Sequence, residues 1–181
     1  SKFLPSFKNP MVSTPTFDPV FNGVAFKLIP ANREPTIQDL LRHTSGIAYG
    51  ELTKNTLVRE AYIKAGVFKP DLDYDARDLK GSDMADNIGK APLAQQPGTA
   101  WEYSLSVDVQ GRVVEAVTGQ RLNDFMTQRI FKPLKMVDTG FHVPSEKSGR
   151  LAEAFSKDPA TGVTNKLIDV SKVPEIGRAH V

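Results

Sequence analysis

Six prolines fall within the first 35 residues, at positions 5, 10, 15, 19, 30 and 35. A proline inside a helix removes one backbone hydrogen bond and clashes with the preceding turn, so this segment reads as extended or turning chain. Within it, Val24-Ala25-Phe26-Lys27-Leu28-Ile29 has the character of a strand. Asn22-Gly23 just before is a hairpin turn signal, and its first partner would lie near Thr16-Phe17. The helices, and with them most of the core, have to come from the remaining chain.

The first helix is signed at both ends. Thr36 can cap it, Asp39 stands three residues later in the manner of a capping box, Pro35 precedes it and Gly46 is its stop. Its inward face would be Ile37, Leu40 and Leu41. A second amphipathic helix runs from Leu52 to Gly66 with Leu57, Val58, Ala61, Tyr62 and Ala65 on one side. A third, short one lies near Asp83–Ile88 and uses Met84 and Ile88. The fourth has Val109, Val113, Val114 and Val117 on one side and Gly119 as its stop, with Ser104 or Ser106 as its cap. The spacing of Leu122, Phe125, Met126 and Ile130 predicts a fifth, ended by Pro133. Phe141-His142-Val143 and Leu151–Phe155 read as short strands around a polar turn. The pattern is mainly α with short β hairpins, arranged as one domain over residues 1–164. Residues 165–181 form a tail that is poorly structured or depends on a partner.

Composition narrows the function by exclusion. A formal charge of +2 with both signs interspersed leaves no basic patch for nucleic acid. No run is apolar enough to span a membrane. The absence of cysteine removes thiol nucleophiles and thiolate metal sites, and His43, His142 and His180 have no metal-ligand spacing, so neither metal nor cofactor is expected. The first residues are no signal peptide, which leaves the compartment open between cytoplasm and periplasm.

Chemistry concentrates in Pro97-Gly98-Thr99-Ala100-Trp101-Glu102-Tyr103-Ser104-Leu105-Ser106, where a turn, the single tryptophan and a tyrosine meet the start of the fourth helix. A helix N-terminus favours negative charge, which suits a phenol that must give up its proton. Trp101 either lines a cleft beside Tyr103 or packs in the core. His43, at the end of the first helix, reads as a capping or dipole-complementing residue rather than a catalytic one. Ser45 has neither a nucleophile elbow around it nor an identifiable base.

Taken in order, Thr36–Gly46 with its His43-Thr44-Ser45-Gly46 ending, Pro97-Gly98, Tyr103-Ser104-Leu105 and Arg129–Met136 followed by Thr139-Gly140-Phe141 resemble the serine β-lactamase-like hydrolases, closest to class C β-lactamases and the related carboxylesterases. The resemblance covers roughly residues 1–155 and implies the helical portion of the β-lactamase/D,D-peptidase-like α+β fold, with the central sheet largely missing. It also implies acyl transfer by a serine in an SxxK motif, assisted by a tyrosine that Tyr103 matches. Class C enzymes carry Tyr-x-Asn, and Leu105 at the third place supplies no amide for a lactam's acylamino group, which points to esters.

No serine here is followed by lysine three places on: Ser6 meets Asn9, Ser45 Ala48, Ser104 Val107 and Ser145 Ser148. Lys147-Ser148-Gly149 fits a K[ST]G pattern but falls in a polar turn too soon after Tyr103 to be the family's third motif. The expectation is an interior piece of a carboxylesterase for small acyl esters, with Tyr103 as the catalytic residue and Trp101 and Leu105 on the substrate side. Alone it would be inactive and prone to self-association through exposed apolar surface. A β-lactamase or D,D-peptidase-like enzyme, and a non-catalytic interaction module, are the alternatives.

Overall fold

A computed structural model describes residues 2–20, 22–70, 79–141, 143–150, 155–157, 161–162 and 164–166. Two compact units divide the chain, residues 1–125 and residues 126–177.

In the first unit the proline-rich segment forms a full hairpin, longer than the turn signal alone suggested. Strand β1 (Met11–Asp18) pairs antiparallel with β2 (Gly23–Pro30), from Met11 opposite Pro30 to Asp18 opposite Gly23. Asn22 takes the positive φ of 48° that the turn requires. The inner end of β1 is stitched to the chain before the functional stretch. The Ser13 N–H donates to the Leu93 carbonyl at 2.8 Å, and the Leu93 N–H to the Met11 carbonyl at 2.8 Å. Ahead of the hairpin, Pro5–Phe7 makes one 3-10 turn that seats Phe7 so closely on Gly89 that a Cβ there would lie 2.8 Å from its ring.

Helix α1 (Ile37–Leu41) starts as expected: Asp39 N–H donates to the Thr36 hydroxyl, and the Thr36 N–H donates back to the Asp39 carboxylate. It ends earlier than the glycine signal indicated, because His43 already takes φ 55° two residues past Leu41. Only Leu40 of its three apolar residues is buried; Ile37 and Leu41 are 47% and 64% exposed. Five residues make too little helix to bury a three-residue stripe.

Helix α2 (Thr56–Lys64) begins at Asn55 instead of Leu52. The Asn55 side chain accepts from Val58 N–H and from the Ser13 hydroxyl, and donates to the Ser13 carbonyl, tying helix to hairpin. Val58 and Tyr62 face the core, and the Tyr62 hydroxyl, its proton held more tightly by burial, accepts from Ala48 N–H. Helix α3 (Gly81–Lys90) buries Met84 and Ile88 as expected.

Helix α4 (Ser106–Thr118) stops at Gly119 in the left-handed region. Val109 is buried, whereas Val117 is exposed. Leu105 is the capping position and makes no side-chain bond; Ser104, one residue earlier, accepts from the Ser106 N–H at 3.3 Å, the first N–H of the helix. Helix α5 (Leu122–Met126) starts where the Glu115 carboxylate accepts from the Leu122 N–H at 2.9 Å. The core gathers Phe7, Val12, Leu40, Ile47, Val58, Tyr62, Met84, Ile88, Leu93, Leu105 and Val109.

One ion pair braces the entry to α1. Arg33 donates to both Asp39 oxygens at 2.6 and 2.9 Å, and the Thr36 and Thr44 hydroxyls donate to the same carboxylate. The Arg33 guanidinium, with the Thr36 and Thr44 donors behind it, holds the Asp39 carboxyl well below the usual range despite its burial. A lowered folded value means that this stability is present in full above the unfolded carboxyl value of about 3.9 and is lost as pH falls through the folded one. Asp39→Asn is expected to cost about 2 kcal/mol in urea unfolding at pH 7. The gap to the native chain should narrow steadily below about pH 4; a gap that widens on acidification contradicts the assignment.

In the second unit α5 runs into a π-helical turn, Thr127–Phe131. Asp138 gathers Lys147 Nζ at 2.8 Å and the Arg150 guanidinium at 2.9 Å, so Lys147-Ser148-Gly149 lies in an exposed 3-10 turn, Ser145–Arg150, that folds onto its own loop. The expected strand at Phe141–Val143 is not formed: Phe141 lies in a bend and Val143 outside any strand, and the chain enters the 3-10 turn with Lys147 N–H donating to the Pro144 carbonyl. A hairpin pairs β3 (Phe155–Lys157) with β4 (Thr164–Lys166). His142, Leu151–Ala154 and residues 167–181, including His180, lie outside the described residues.

Candidate active site

Residues 43–46 and 94–104 run alongside each other and set the site. Ala94 N–H donates to the Gly46 carbonyl at 2.7 Å, Gly98 N–H to the Thr44 carbonyl at 2.7 Å and Glu102 N–H to the His43 carbonyl at 2.9 Å. The Pro97-Gly98 turn is therefore anchored at three points on the segment that leaves α1. Polar bonds of this kind satisfy backbone that would otherwise be buried without partners.

The three residues singled out from the sequence separate into two environments. Trp101 and Tyr103 are 68% and 52% exposed, and Leu105 only 5%. Leu105, expected on the substrate side, belongs instead to the core cluster, because the chain turns inward at Ser104 to start α4. Trp101 lies on the open side, with its ring 6.3 Å from that of His43.

Around Tyr103 stand two rings that the sequence reading did not assign to the site. The His43 ring is 5.0 Å away and the Tyr49 ring 5.4 Å away, both tilted. Burial first, then the Asp108 carboxylate and the Tyr103 hydroxyl, push the Tyr49 phenol up, so Tyr49 stays protonated and remains a donor. Glu102, half-buried, has its carboxyl raised by desolvation. Position alone gives no hint of Tyr49 at this site, since 53 residues of intervening fold bring it there.

Beneath the tyrosine runs a chain of buried hydroxyls. Ser104 Oγ is 2.8 Å from Ser106 Oγ, which is 2.8 Å from Ser45 Oγ, and Ser45 in turn accepts from Ile47 N–H. Ser45 thus has a structural use, its hydroxyl held between Ser106 and the Ile47 N–H. Among the described residues no group of three or more His, Asp or Glu side chains could hold a metal ion, and no helix is long and apolar enough to cross a membrane.

Residues 10–173 match the family model described as Beta-lactamase. The chain belongs to that family. Among curated relatives, "Esterase EstB" of Burkholderia gladioli is 39% identical over 109 residues, covering 59% of this chain and 26% of the relative. "Lovastatin esterase" of Penicillium rubens is 32% identical over 132 residues, covering 72% of this chain and 30% of the relative. The solved structure of "EstCE1, a hydrolase with promiscuous acyltransferase activity" superposes with a TM-score of 0.66 at 24% identity, over 93% of this chain and 38% of that one, a likeness of fold. This member of the Beta-lactamase family therefore spans 26% and 30% of the length of the two curated relatives. Its relatives include esterases, which agrees with the resemblance read from the motifs.

Proposed function

We propose that this chain carries the tyrosine-bearing part of a serine carboxylesterase that cleaves small acyl esters through an acyl-enzyme. The observation that carries the reading is Tyr103 itself, a half-exposed phenol on a backbone anchored to residues 43–46 just ahead of α4. The two curated relatives named as esterases support the choice of substrate class. The nucleophilic serine and the lysine of the SxxK motif have no counterpart among these 181 residues and would be contributed from elsewhere in the full-length protein.

In that reaction the serine oxygen attacks the ester carbonyl carbon while its proton passes to the Tyr103 oxygen, with the motif's lysine assisting. The proton then moves to the departing alkoxide as the C–O bond breaks. Water repeats the sequence on the acyl-enzyme and releases the acid. Leu105 supplies no side-chain amide at the third place of the motif, and its burial removes it from contact with a lactam's substituent. Trp101 would form an apolar wall for the acyl or alcohol group.

The full-length protein is expected to hydrolyse p-nitrophenyl butyrate with a burst of p-nitrophenol equal to the enzyme concentration, and to open a chromogenic cephalosporin at least about 100-fold more slowly in kcat/KM. Faster turnover of the cephalosporin would transfer the assignment to the β-lactamase or D,D-peptidase class. No turnover of either would leave an interaction module.

A further inference from the structure

Tyr103 needs a fixed place, and one residue supplies it. His43 lies 61 positions before Ser104. Its carbonyl oxygen accepts from the Glu102 N–H at 2.9 Å, and its Nδ1 accepts from the Ser104 N–H at 3.2 Å. The peptide N–H groups of the residues on either side of Tyr103 are thus both held by His43, and its ring lies 5.0 Å from the Tyr103 ring between those two bonds. Because Nδ1 accepts a backbone N–H, the neutral imidazole carries its proton on Nε2.

The clamp is backed from below. Ser104 Oγ lies 3.3 Å from the same Nδ1, and the chain Ser104–Ser106–Ser45 returns to the backbone two residues past His43. All three serines are buried, so the loop closes on itself away from water. His43 also sits at φ 55°, a region that histidine, asparagine, aspartate and glycine enter more readily than other residues.

We propose that His43 is a positioning residue for Tyr103, a two-point clamp whose side-chain acceptor fixes the phenol in register for acyl transfer. This inference rests on the esterase reading above. It differs from a capping role for the histidine, since its ring nitrogen serves Ser104 and not the carbonyls of α1.

Three variants of the full-length protein, assayed with p-nitrophenyl butyrate, test it. His43→Gly keeps the carbonyl and accepts the positive φ, so it removes only the ring and its acceptor. It is expected to lower kcat about 10- to 100-fold with KM changed by less than about threefold, the signature of a misplaced catalytic group. His43→Asn puts an amide oxygen where Nδ1 stands and should restore kcat to within about threefold of the native enzyme. His43→Gln carries its amide one methylene further out and should not restore it. In a Tyr103→Phe background, His43→Gly should cause no further loss, because a positioning residue acts only through what it positions.

Native kcat in His43→Gly, with Tyr103→Phe inactive, overturns the clamp and leaves the esterase reading intact. Equal activities in the Asn and Gln variants overturn it as well, and serve as the decisive comparison if the glycine variant does not fold. Full activity in Tyr103→Phe alone removes Tyr103 from the mechanism and overturns the clamp with it, while the ester turnover itself keeps the substrate class.

Discussion

Tyr103→Phe is expected to lower kcat for p-nitrophenyl butyrate by about 10²- to 10⁴-fold in the full-length protein, the range that removal of a general acid–base group produces. The substitution deletes one oxygen and leaves the ring where it is, 5.0 Å from His43 and 5.4 Å from Tyr49. With the residue half-exposed, the cost in folding should stay within about 0.5 kcal/mol, so the melting temperature barely moves. KM should change little, since in the proposed mechanism the phenol acts on the serine's proton and not on the bound ester. Unchanged kcat would refute the role, and a loss that follows a fall in melting temperature would make it structural. Tyr49, kept protonated by burial and by Asp108, is the neighbour positioned to donate to the Tyr103 oxygen when that oxygen is negatively charged.

Gly46→Ala should destabilise the chain by about 3 kcal/mol or more, read as the midpoint of urea unfolding. Two costs combine there. Gly46 has φ +83°, which a Cβ disfavours, and that Cβ would collide with the backbone carbonyl oxygen of Gln95, an atom that cannot swing away. Gly119→Ala provides the comparison within the same molecule: its φ is +67° and nothing lies within 4 Å of an added Cβ. Only the conformational cost remains at that site, about 1 kcal/mol. Equal losses at the two positions would mean that the close approach of residues 43–46 to 94–104 contributes nothing. Because the Tyr103 backbone is anchored through that approach, the residual folded Gly46→Ala protein should also show reduced kcat.

Local rules account for the parts of the fold that were legible. Thr36 and Asp39 form a capping box because its bonds lie within one turn, and Gly119 stops α4 because a left-handed residue is a local need. Met84, Ile88, Val58 and Tyr62 point inward as their spacing requires. The departures come from contacts between distant residues. Asn55 starts α2 because Ser13 meets its side chain, and the Ser106 hydroxyl is drawn away from the head of α4 to Ser45. Neither departure can be read from a window of neighbours.

The amino-acid sequence by itself determined the family, the proline-bound extended start and the order of the helices, since each rests on residue types at short spacing, and it put Tyr103 forward as the candidate catalytic residue. Tertiary structure alone decided which groups surround that tyrosine. It took Leu105 into the core, left Trp101 open, and brought Tyr49 and His43 beside the phenol. The physical reason is the pairing of 43–46 with 94–104: backbone hydrogen bonds between segments some fifty residues apart carry no signature in side-chain pattern, yet they bring the two segments of the site together.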